Sequence, residues 1–123
     1  MKTKMMPDEW YTEKREDHLI DPGIRFPLRV VHAACVDTCQ SCEGGEGHPY
    51  HAPTIELVGD EGAGLVAVAA LRRHGIQVTS LARVWLIEYG MPSQAPIWRI
   101  ELRTACPERA DEVPNFVHGY VAT

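Results

Sequence analysis

A chain of 123 residues has room for one domain and not for two ordinary ones, and its 45% hydrophobic and 24% charged residues are the usage of a globular protein. No stretch approaches the roughly 18 continuous apolar residues of a membrane span, and the start, Met-Lys-Thr-Lys-Met-Met, lacks the apolar run of a secretory signal. The net charge of −5 disfavours nonspecific nucleic-acid binding, and without a secretory signal the expectation is a cytoplasmic protein with reduced cysteines.

In chain order, residues 1–22 read as a polar arm of mixed charge, bracketed by Pro7 and Pro22. Ile24 to Cys35 reads as a valine-rich strand running into the first cysteine. Residues 36–52, with glycines, cysteines, histidines and a proline, form a loop with little apolar surface of its own. Residues 53–58 alternate apolar and polar and read as a second strand. A helix follows: Asp60 and Glu61 supply its cap and acidic first turn, Leu65, Val68, Ala69 and Leu71 its apolar positions, Arg72 and Arg73 its basic end, and Gly75 its stop. The run from Leu65 to Leu71 is apolar on nearly all sides, which predicts deep burial.

Leu81–Tyr89 and Ile97–Thr104 then read as a hairpin joined by Gly-Met-Pro-Ser-Gln-Ala-Pro. Alternation places Ala82, Val84 and Leu86 with Trp98, Ile100 and Leu102 toward the helix. It leaves Arg83, Trp85 and Tyr89, with Arg99 and Arg103 opposite, on the other side. The expected fold is α+β: a small antiparallel sheet of about four strands in β-β-α-β-β order, one helix on a face, and a metal loop between the first two strands. The domain spans 23–106, with the loop at 35–51 and a tail at 107–123 that could dock.

The densest chemistry lies in Cys35-x3-Cys39-x2-Cys42, followed by His48 and His51. Zinc takes four soft or borderline ligands, and coordination would offset the entropy of ordering a glycine-rich loop. The expected site is a structural zinc held by the three cysteines and a histidine. His48 and His51 compete for the fourth place, with His32 and Cys106 as alternatives from outside the loop. Against it stands an ordinary loop of reduced thiols, or thiol exchange at Cys39-x2-Cys42.

The block Cys-Gln-Ser-Cys-Glu-Gly-Gly-Glu-Gly-His, with Pro-Thr-Ile-Glu-Leu and Leu-Ala-Arg-Val-Trp further on, resembles short phage- and prophage-encoded proteins of unassigned function. That resemblance covers Val31 to Leu102 and implies a setting in the bacterial cytoplasm. The cysteine block is also similar to a single Cys-x-x-Cys-x-Gly-x-Gly unit of the zinc domain of Hsp40 chaperones, one glycine out of step.

No Ser-His-Asp order, Walker glycine loop or His-Glu-x-x-His helix is present. Three thiolates would also weaken a zinc ion as a Lewis acid, which disfavours a zinc-dependent hydrolase. The expected function is a zinc-stabilised interaction protein that binds a host or phage macromolecule, a bacterial defence or regulatory complex being one target. Its binding face would comprise Arg83, Trp85, Tyr89, Arg99 and Arg103, residue types that dominate protein interfaces. The same face could instead stack bases and hold phosphates, making a nucleic-acid accessory protein. The plainer reading is a solvated face with its charges paired across strands.

Overall fold

The computed structural model describes residues 20–112. Residues 1–19 of the arm expected at 1–22, and 113–123 of the tail, lie outside them. The described residues form an α+β unit: α1 (Pro22–Ala33), β1 (Thr38–Cys42), β2 (Thr54–Leu57), α2 (Glu61–Arg73), β3 (Val78–Val84), β4 (Ile87–Glu88), β5 (Met91–Pro92), β6 (Ile97–Leu102) and a 3-10 turn at Pro107–Arg109. Four strands make one antiparallel sheet in the order β1-β2-β6-β3, while β4 and β5 form a separate two-stranded ribbon.

The first strand expected from sequence, Ile24–Cys35, is the helix α1. Pro22 occupies the first helical turn, where a missing N–H is harmless. Pro27 lies inside the helix and cannot donate to the carbonyl of Gly23. That carbonyl accepts from the Cys106 N–H at 2.8 Å instead, so the last strand's exit satisfies the helix. α1 is buried on nearly every side, from Ile24 through His32. Arg25, Arg29 and His32 do fall at helical spacing on one stripe, but Pro27 inside the run argues against a helix and the Val30-Val31 pair reads as a strand signal.

α2 is where the sequence places it. The Asp60 side chain accepts from the Gly62 N–H at 3.0 Å, and the chain leaves through Gly75 at φ 76°. Its burial is less than expected: Gly64, Ala67, Ala70 and Leu71 face inward, while Leu65 (64% exposed) and Val66 point out. The two helices thus exchange roles. Ile24, Leu28, Val30 and Val31 of α1 and Ala67, Ala70 and Leu71 of α2 pack on Ile55, Leu57, Ile100 and Leu102 of the sheet.

The expected hairpin faces are also corrected. β3 begins at Val78, carries an irregularity between Val78 and Ser80, and ends at Val84; its register pairs Leu81 with Ile100 and Arg83 with Trp98. Leu81 and Arg83 therefore share the helix-side face, whereas Ala82 lies opposite Arg99 on the other. Beyond the strand, Ser93 N–H bonds the Leu86 carbonyl at 2.7 Å and closes the excursion that carries the ribbon. The tail docks as far as it is described: Arg29 donates to the carbonyls of Ala110 and Glu112, and Arg109 lies over the Phe26 ring, 3.8 Å from its centre.

Candidate metal centre and exposed ribbon

The residues expected to bind metal are dispersed by the fold. Cys35 follows the end of α1, exposed, in left-handed backbone (φ 65°) with its N–H on the His32 carbonyl. Cys39 sits on the edge strand β1, its thiol donating to the Glu56 carbonyl at 3.5 Å. Burial and the Glu56 charge push that thiol's pKa up, as burial does for Cys106, which disfavours thiolate exchange at either. His51 is exposed in the loop, where its carbonyl accepts from Gly45 N–H. His32, in the last turn of α1, is buried with Nε2 2.8 Å from the Thr38 hydroxyl.

Cys42 and His48 are brought together, with a partner that the sequence did not announce. Among the described residues, one group of Cys, His and carboxylate donors has ligand atoms all within 4.8 Å of one another: Asp21, Cys42 and His48. The Cys42 sulfur lies 3.5 Å from His48 Nδ1, and Asp21 Oδ2 lies 3.6 Å from the same nitrogen. Cys42 ends β1 and is buried; His48 comes from the following loop, whose Gly44 N–H points at the Cys42 sulfur at 3.4 Å. Asp21 precedes α1. These three residues form a group able to hold a metal ion.

The surrounding hydrogen bonds keep the three donors in place. Asp21 stands at the N-cap of α1 yet makes no capping bond with its side chain. Glu43 does that work, accepting the Gly23 N–H at 2.7 Å, while its own N–H donates to Asp21 Oδ2 at 3.2 Å. The other Glu43 oxygen lies 3.4 Å from His48 Nε2, the nitrogen turned away from the cluster. Asp21 was missed because it sits 21 residues from Cys42, in a segment that reads as a polar arm.

The expected binding face does not exist as one surface. Arg83 lies over the Trp98 ring, 4.7 Å from its centre, and donates to the Gly59 carbonyl. Arg99 is on the opposite side of the sheet, where Nη2 is 2.7 Å and Nε 2.8 Å from Glu56 Oε2. Tyr50 donates to that same oxygen at 2.9 Å. Arg103 is exposed past the end of β6, its N–H bonded to the Gln77 carbonyl. Trp85 and Tyr89 belong to neither face. They lie on the excursion with the ribbon residues Ile87 and Met91, and all four are exposed, Tyr89 completely (104%). Tyr89 and Gly90 turn the ribbon with φ of 54° and 77°, both left-handed.

No protein-family model matches the sequence, and no solved structure matches it. The chain is similar to human F-box/LRR-repeat protein 8, at 33% identity over 98 residues. The match takes in 74% of this chain and 26% of that protein, so the chain spans about a quarter of its relative's length. Leucine-rich repeats lay one strand per unit side by side at a fixed period. The antiparallel order β1-β2-β6-β3 is a different arrangement, so the likeness carries no fold assignment. Among the described residues no helix is long and apolar enough to cross a membrane.

Proposed function

We propose that this chain is a small zinc-stabilised interaction protein that engages a protein partner through the β4–β5 ribbon. One observation carries the reading: Tyr89 is fully exposed at a turn position whose positive φ suits Asn, Asp or Gly. Folding gains nothing from a tyrosine there, and backbone strain of this kind collects at functional positions. Trp85, Ile87 and Met91 add large apolar groups beside it, and aromatic residues and methionine are enriched at interfaces. The resemblance to phage-encoded chains would make that partner a host or phage macromolecule.

The nucleic-acid alternative needs free arginines beside the aromatics. Arg99 is engaged by buried Glu56 and Arg83 by Trp98 and Gly59, which leaves Arg103 alone of the three.

Zinc is the metal that a thiolate, an imidazole and a carboxylate favour together. Its role in this reading is to tie the 43–53 loop to the start of α1.

The experiment is photo-crosslinking in cells from a photoreactive residue placed at Met91, in the wild-type background and with Trp85→Ser or Tyr89→Ser. One discrete adduct, lost in both variants while their melting temperatures hold, is the expected result. No adduct, or one indifferent to both variants, overturns the ribbon reading. Zinc is read separately, as close to one equivalent per purified chain by elemental analysis.

A further inference from the structure

We infer that the metal bound by Asp21, Cys42 and His48 keeps one coordination position for a small anionic ligand from solution. This rests on the zinc part of the proposed function and goes further by naming the donor atoms and the class of ligand they admit.

The donor spacing supports the assignment. Tetrahedral zinc with bonds of roughly 2.3 Å to sulfur and 2.0–2.1 Å to nitrogen and oxygen sets ligand–ligand edges of about 3.5 Å for S···N and about 3.3–3.4 Å for N···O. The edges found are 3.5 Å for Cys42 Sγ to His48 Nδ1 and 3.6 Å for His48 Nδ1 to Asp21 Oδ2. Two of the three edges therefore match coordination by one ion, and the third, Cys42 to Asp21, is within 4.8 Å. Their supports have the form that metal ligands need: a carboxylate, Glu43, faces the far nitrogen of the histidine, and a backbone N–H, that of Gly44, faces the sulfur. Asp21 is the most telling of the three. An N-cap aspartate ordinarily bonds its own helix, yet here Glu43 caps Gly23, and Asp21 Oδ2 faces the Glu43 N–H and His48 Nδ1.

The three donors found among the described residues leave a four-coordinate ion one place, the arrangement of zinc sites that bind water or substrate. The side chains of Asp21 and His48 are 37% and 29% exposed, whereas Cys42 is buried, so solvent reaches the cluster on the Asp21–His48 side. A single thiolate also withdraws the objection raised by a three-cysteine set: the ion retains enough Lewis acidity to attract an anion. No redox step is involved; an anion replaces bound water, and the metal, Cys42, His48 and Asp21 keep their charges.

The test is cobalt(II) substitution of the full chain, titrated with azide and followed by absorption. The expected spectrum shows a sulfur-to-cobalt charge-transfer band that disappears in Cys42→Ser and survives in Cys35→Ser and Cys39→Ser. Azide should shift the ligand-field bands with a saturable dependence, and Glu43→Gln should weaken cobalt binding by about 10- to 100-fold. A charge-transfer band lost in Cys39→Ser would overturn the donor set in favour of a multi-cysteine site. A tetrahedral spectrum indifferent to azide would mean a fourth protein ligand and would overturn the open position while leaving the zinc reading intact. No cobalt bound would sink both. A Cys42→Asp variant guards against misfolding in Cys42→Ser: it should bind cobalt without the charge-transfer band.

Discussion

A single side chain's consequences depend on the few atoms around it. Gly64 lies in the middle of an exposed-looking helix, where alanine would ordinarily add about 1 kcal/mol. A Cβ there would meet Trp98 at 2.6 Å, a ring held by its Nε1 bond to the Asp60 carbonyl and capped by Arg83. Gly64→Ala is therefore expected to destabilise the protein by about 1–3 kcal/mol in chemical denaturation, against helix propensity. His32 has its own pH signature. Burial lowers its pKa to about 4 from 6.5, with the Asp37 charge opposing the shift. Between pH 6.5 and 4 the unfolded chain thus holds more protons than the folded one, and this group's contribution is full above 6.5 and lost progressively down to about 4. The loss should reach about 3 kcal/mol across that window, and His32→Asn should flatten the stability profile measured from pH 7 to 4.

At the scale of elements, the ribbon sets stability and function against each other. Tyr89→Asn suits the left-handed turn better and should raise stability by about 0.5–1 kcal/mol, read as a higher denaturation midpoint, while weakening the crosslinked adduct. If stability and adduct fell together, Tyr89 would be a folding residue and the ribbon reading would lose its main support. The helices show what an element's pattern reveals. α2 was legible because its cap, its basic end and Gly75 are local signals. α1 was not, because its partners are the sheet, α2 and the 107–112 segment together. Pro27 inside the run argued against a helix, and the bond between Cys106 and the Gly23 carbonyl that makes that proline tolerable lies about 80 residues away.

For the whole molecule, the loop between β1 and β2 is held at two places. At one end Asp21, Cys42 and His48 gather; at the other, Tyr50 and Arg99 converge on Glu56, which is 3% exposed. Arg99→Ala would strand that buried carboxylate and should cost about 3 kcal/mol in denaturant melts, more than Tyr50→Phe. Metal removal acts on the first place: chelation should lower the midpoint by the equivalent of about 2.7 kcal/mol if free zinc stood at 100 times its dissociation constant. In Asp21→Asn the chelator's effect should shrink, since one donor is weakened.

The residues by themselves determined the α+β class, the second helix with both its ends, and the strands at 54–57 and 97–102. Each is written in local spacing, over which backbone propensity and side-chain periodicity act. The tertiary structure alone decided the rest. Asp21 joins Cys42 across 21 residues because α1 packs against β1. Cys35 and Cys39 stand outside the cluster because one follows the end of α1 in left-handed backbone and the other turns its thiol to the Glu56 carbonyl. The irregularity in β3 carries Arg83 to the helix side, and a strand that ends at Val84 releases Trp85 and Tyr89 to the ribbon. Register and long-range packing are cooperative properties of the folded chain, and no local run of residues encodes them.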